Sequence, residues 1–129
     1  MIAGADGAWL GSAFLATPEA VEIDDGYRAA IVASDGADTV FTRAHDIASG
    51  LPWPEGIGER IRRDAFADEW DGREAELREQ RDRVKPERPV LYGQSARFVD
   101  AVRPAADVVR RLASEAEKVL RSRPPTLVG

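Results

Sequence analysis

Apolar and polar positions change their rhythm twice along this chain. In residues 8–17, Ala-Trp-Leu-Gly-Ser-Ala-Phe-Leu-Ala-Thr, apolar groups fall on both faces of an extended backbone, as in a strand covered on both sides. Val21 and Ile23 then alternate with Glu22, and Tyr27, Ala29, Ile31 and Ala33 alternate with Arg28, Ala30, Val32 and Ser34. Asp25-Gly26 and Asp35-Gly36 punctuate these runs, and Thr39, Val40 and Phe41 follow the second. Asp-Gly steps between β-rich runs mark hairpins, because their tight turns need positive φ. The pattern predicts a three- or four-stranded antiparallel meander over residues 8–43.

Helical spacing takes over afterwards. Gly50, Pro52, Pro54 and Gly56 interrupt residues 44–56, and Trp53, between two prolines, reads as a plug over the core. Proline and an acid at Pro54–Glu55 suit a first helical turn. Ile57 and Ile61 lie one turn apart, and Phe66, Trp70, Leu77 and Val84 follow at spacings of four, seven and seven. This predicts a helix over residues 55–84, with a bend or stop at Asp71-Gly72. Residues 73–83 are charged, with Glu74–Arg78 and Glu79–Arg83 at i,i+4.

Pro86 and Pro89 bracket the next break, Val90-Leu91-Tyr92 reads as a short strand or an apolar plug, and Ser95 as an N-cap. A second long helix is predicted over residues 95–122. Phe98, Val102, Ala105, Val109, Leu112, Ala116 and Val119 recur at alternating four- and three-residue steps, and Leu120 broadens the stripe. The opposite face carries Arg97, Asp100, Arg103, Asp107, Arg111, Ser114 and Lys118. This is an amphipathic helix with a coiled-coil-like seam. Pro104, on its polar side, should kink or divide it. The expected fold is α+β: the meander, packed by two long helices, in a single domain over residues 1–123, with a flexible tail at 124–129.

A length of 129 residues suits one domain with a core of its own, and the 43% apolar and 32% charged content is that of a globular chain. The absence of cysteine excludes disulfides, thiolate zinc sites and a cysteine nucleophile. The opening Met1-Ile2-Ala3-Gly4-Ala5-Asp6 has no basic segment and an early acid, so it is not read as a signal peptide. No apolar run suffices for a membrane helix, and a cytoplasmic protein is expected. The net charge of −5 is uneven. Residues 1–59 hold ten acids against two arginines, and residues 60–129 sixteen bases against thirteen acids. Such polarity can orient an association without deciding the fold.

Candidate chemistry is sparse. His45 is the only histidine, and no serine sits in a Gly-x-Ser-x-Gly elbow, so His45-Asp46 reads as polar connector rather than catalyst. Asp24, Asp25, Asp35 and Asp38 do not follow a calcium-loop pattern and are explained by turns. Gly4, Gly7 and Gly11 form no nucleotide fingerprint. Acids interrupt the basic clusters Arg60, Arg62, Arg63 and Arg110, Arg111, so nucleic acid is not the expected partner. Ile2-Ala3-Gly4-Ala5-Asp6-Gly7 resembles the first motif of ribonuclease H-like proteins, where an acid on the first strand holds magnesium. The resemblance implies one alternative, a metal-dependent hydrolase; a small nucleic-acid-binding regulator is another.

The preferred expectation is a non-catalytic interaction or assembly module, such as an adaptor, a regulator or a virion or secretion-machine component. It would have no catalytic residue, metal or cofactor. It would meet a protein partner or its own copies through Phe98, Val102, Val109, Leu112 and Val119, with Trp70 and Leu77 contributing.

Overall fold

The computed structural model describes residues 6–122, so the tail expected at 124–129 and most of the Ile2–Gly7 motif lie outside the described residues. The fold is α+β, with one two-stranded antiparallel sheet and six α-helices among the described residues. The three- or four-stranded meander does not form. In its place stand a single turn, α1 (Ser12–Leu15), and a helix, α2 (Asp25–Ala33), before β1 (Thr39–Thr42).

The correction at α2 has a local cause. Asp24 caps the helix, its Oδ1 accepting the Tyr27 N–H at 2.8 Å, and Asp25 in the first turn bonds Arg28 at 2.9 Å. The first Asp-Gly step is therefore a helix start. Ile23, Tyr27 and Ile31, spaced by four, are all buried, which one helical face and its approach achieve without any strand. The second Asp-Gly step is a turn as expected. Gly36 has φ +83°, and a Cβ there would collide with the Gln94 carbonyl oxygen.

The helix expected over 55–84 is also divided. Its first part is strand β2 (Glu59–Arg62), paired antiparallel with β1 from Thr39↔Arg62 to Thr42↔Glu59. Ile61 is fully buried in it and bridges Leu91 on the other side, so Val90-Leu91-Tyr92 lies along the sheet. A short helix, α3 (Ala44–Ala48), occupies the long connection between the strands. After β2, Asp64 caps α4 (Ala65–Trp70), Gly72 at φ +72° ends it, and α5 (Glu74–Gln80) runs into a 3₁₀ turn at Arg81–Arg83.

The last predicted helix begins later than expected. Gln94–Phe98 is a 3₁₀ turn with Ser95 inside it, and α6 runs only from Ala105 to Ser122. Proline disfavours helical backbone in the residue before it, so Pro104 divides the segment. Its carbonyl accepts the Asp107 and Val108 N–H groups at 2.9 and 3.1 Å and opens α6.

Two apolar clusters hold the body together. One gathers Ala16, Ile23, Tyr27, Ile31, Tyr92 and Ala96; the other gathers Ala44, Ile47, Trp70 and Leu77. Polar bonds tie distant segments across the first. The Tyr27 hydroxyl accepts the Leu91 N–H at 2.5 Å and donates to the Leu91 carbonyl at 3.2 Å. The Tyr92 hydroxyl donates to Asp38 at 2.5 Å, and burial with that bond pushes the phenol up to about 12. No helix among the described residues is long and apolar enough to cross a membrane.

Candidate functional site

An exposed apolar surface follows from where Pro104 lets α6 begin. α6 leaves the body with no buried residue of its own. Its stripe is open to solvent: Val109 is 54% exposed, and Leu112, Val119 and Leu120 are exposed beside it. Phe98, at 77%, and Val102 are exposed on the preceding segment. A shallow groove of about 130 Å³ lies between them, with Phe98, Val99, Ala101, Val108 and Leu112 among its walls.

The helix is rooted at its first turn. Glu19, from the loop after α1, places both carboxylate oxygens 3.1 Å from the Ala105 N–H. Asp100 bonds Arg103 and, at 3.1 Å, Arg111, and these two guanidinium groups hold its carboxyl down at about 2. Along the helix, Arg110 pairs with Asp107, Arg111 with Glu115 and Arg121 with Glu117. The polar face thus satisfies most of its charge internally, and the apolar face is what remains to be covered.

Five of the seven expected interaction residues, Phe98, Val102, Val109, Leu112 and Val119, are exposed, and Phe98 and Leu112 line the same groove. Trp70 and Leu77 lie elsewhere. They are 5% and 0% exposed in the second apolar cluster, with Arg73 stacked 4.7 Å from the Trp70 ring, and take no part in the surface.

His45 corrects another expectation. It is a buried residue of α3, its Nε2 2.9 Å from Asp64 Oδ2, and its ring packs 4.9 Å from Phe66. The hollow beside it, about 240 Å³, is lined by His45, Asp64, Ala65, Phe66 and Glu87, a set without a hydroxyl or thiol nucleophile. The pair is arranged as a histidine oriented by a carboxylate, with nothing beside it to activate. No group of three or more His, Cys, Asp or Glu side chains is placed to hold a metal ion among the described residues.

One polar cleft has no counterpart in the sequence pattern. Trp53 is not a core plug: it is 55% exposed and lines a cleft of about 350 Å³ with Asp46, Arg43, Arg78 and Arg81. These residues come from α3 and its N-cap, the loop after it, α5 and the 3₁₀ turn that follows, and no spacing in the sequence connects them. Comparison with protein-family models, curated proteins and solved structures finds no match to this chain.

Proposed function

We propose that this chain is a non-catalytic assembly module that pairs with a second copy of itself through the apolar face of α6. The observation that carries the reading is an 18-residue amphipathic helix in which no residue is buried. Helices in proteins draw most of their stability from packing an apolar face, and α6 has left its own face unpacked.

The stripe is self-complementary in one register. Consider an antiparallel pair centred between Arg110 and Arg111. Ala105 then faces Ala116 of the second copy, and Val109 faces Leu112 of the second copy, so small meets small and large meets large. Ala106 and Ala113 flank the seam and allow close approach. One turn further, Val119 and Leu120 of each copy arrive beside Val102 and the groove lined by Phe98 of the other. The antiparallel sense also sets the two bodies at opposite ends of the pair. A protein partner other than a second copy would have to imitate this alternation of sizes.

Sedimentation equilibrium tests the reading on wild type and on Leu112→Glu with Val119→Glu. Both side chains are exposed in the single chain, so the double variant should fold with native circular dichroism. Wild type is expected as a dimer and the variant as a monomer. A wild type that stays monomeric at ~100 μM overturns the proposal.

A further inference from the structure

We infer that the cleft walled by α3, the loop at residues 49–57 and the end of α5 binds a nucleoside monophosphate, with guanine the best-matched base. The inference is independent of α6, which contributes nothing to this cleft.

Three features of the cleft ask for different things from a ligand. The first is Asp46. It is 7% exposed, yet it lines the cleft beside Trp53 and Arg43, and burial pushes its carboxyl up. A carboxylate so withdrawn from water gains most from N–H donors supplied by a ligand. The second is Trp53, a half-exposed indole held between Pro52 and Pro54, which offers a π-surface that stacks on any base. The third is the set of arginines. Among the described residues, Arg43 and Arg78 have no carboxylate within ion-pair distance, and Arg81 reaches only Asp82 at 3.5 Å. Three guanidinium groups against one carboxylate favour an anion, and guanidinium matches phosphate bidentately.

Simple alternatives satisfy only part of this set. Inorganic phosphate leaves Trp53 and Asp46 unused. An aromatic carboxylate uses Trp53 and the arginines but offers Asp46 no N–H. A nucleoside phosphate uses all three, and guanine presents two adjacent N–H donors to one carboxylate. Ile47, Leu51 and Ile57 supply apolar wall, and about 350 Å³ is of the size that small-molecule sites occupy.

Isothermal titration of the full chain with GMP, guanosine, UMP and inorganic phosphate tests the inference. GMP is expected to give a one-site isotherm with Kd of ~10–500 μM, and guanosine and phosphate alone at least ~10-fold weaker binding. Arg78→Gln with Arg81→Gln, both at exposed positions, should weaken GMP by ~10-fold or more. Asp46→Asn should remove the preference for GMP over UMP, since the amide cannot accept both base N–H groups. Circular dichroism checks that each variant is folded, and perturbation of the Trp53 indole N–H resonance by GMP reports the site directly. No saturable binding at ~5 mM GMP overturns the inference. So does GMP binding that the arginine pair leaves unchanged, or phosphate binding as tight as GMP, which would mark a bare anion site.

Discussion

One carboxylate, that of Asp64, serves both His45 and a helix: Oδ2 lies 2.9 Å from His45 Nε2 while Oδ1 accepts the Ala67 N–H at 2.7 Å. The imidazole is buried, and its Nδ1 has no hydrogen-bond partner among the described residues. Asp64 therefore supplies the one polar contact that orients the ring, and it joins α3 to the start of α4.

Replacing Asp64 should expose both duties. Asp64→Ala removes a helix cap and leaves both imidazole nitrogens unpartnered, so a loss of about 2–4 kcal/mol is expected in urea denaturation. Asp64→Asn keeps a capping oxygen and should lose clearly less. Equal losses in the two variants would mean that the capping oxygen contributes nothing, and a loss below about 0.5 kcal/mol in the first that neither bond does.

Glu59 sets a pH dependence. Burial, and after it the charge of Asp46, pushes its carboxyl from 4.5 up to about 7. Between those values the folded chain keeps a proton that the unfolded chain has released, so this group's contribution to stability falls as pH rises through the window. Glu59→Gln should flatten the profile between pH 4.5 and 7 and gain about 1–2 kcal/mol at pH 8, less than the full shift implies because the group is partly solvated. Chemical denaturation of both proteins at stepped pH gives the difference profile. An unchanged profile would show that Glu59 ionises at its ordinary value.

Two glycines with similar backbones should respond differently to alanine. Gly36 and Gly72 have φ of +83° and +72°, but a methyl group at Gly36 would run into the Gln94 carbonyl oxygen, whereas one at Gly72 would meet open space. Gly72→Ala should cost only the left-handed penalty, about 1–2 kcal/mol, whereas Gly36→Ala must also displace the 94–98 turn and should cost at least about 2 kcal/mol more. Thermal denaturation of the pair measures the gap. Equal costs would mean that the approach of Gln94 to the second Asp-Gly turn is soft.

Sequence patterns are ambiguous where two periods coincide. Ile23, Tyr27 and Ile31 share both odd parity and a spacing of four, so strand and helix readings bury the same three side chains. Their burial is therefore legible although the element is not, and Asp24, an N-cap three residues before Tyr27, is the signal that decides it. Ile57 and Ile61 mislead in the opposite sense: their helical spacing conceals a strand whose partner, β1, is supplied from about twenty residues away. Pro104 and the Asp71-Gly72 step are legible as breaks because proline and glycine act on their own backbone. The α6 stripe is legible for the same local reason. The cleft of Arg43, Asp46, Trp53, Arg78 and Arg81 is not, because only the packing of α3 against α5 brings its charges together.

The bond between Glu19 and the Ala105 N–H joins positions 86 residues apart in the chain. The first turn of α6 is thus capped only after the body between them has closed. An unfolded or partly folded chain presents a stripe whose helix has neither cap nor packing, and an isolated helix of this length is marginal in water. In the pairing proposed above, folding would come first: each copy closes its body before it offers a capped helix to be matched.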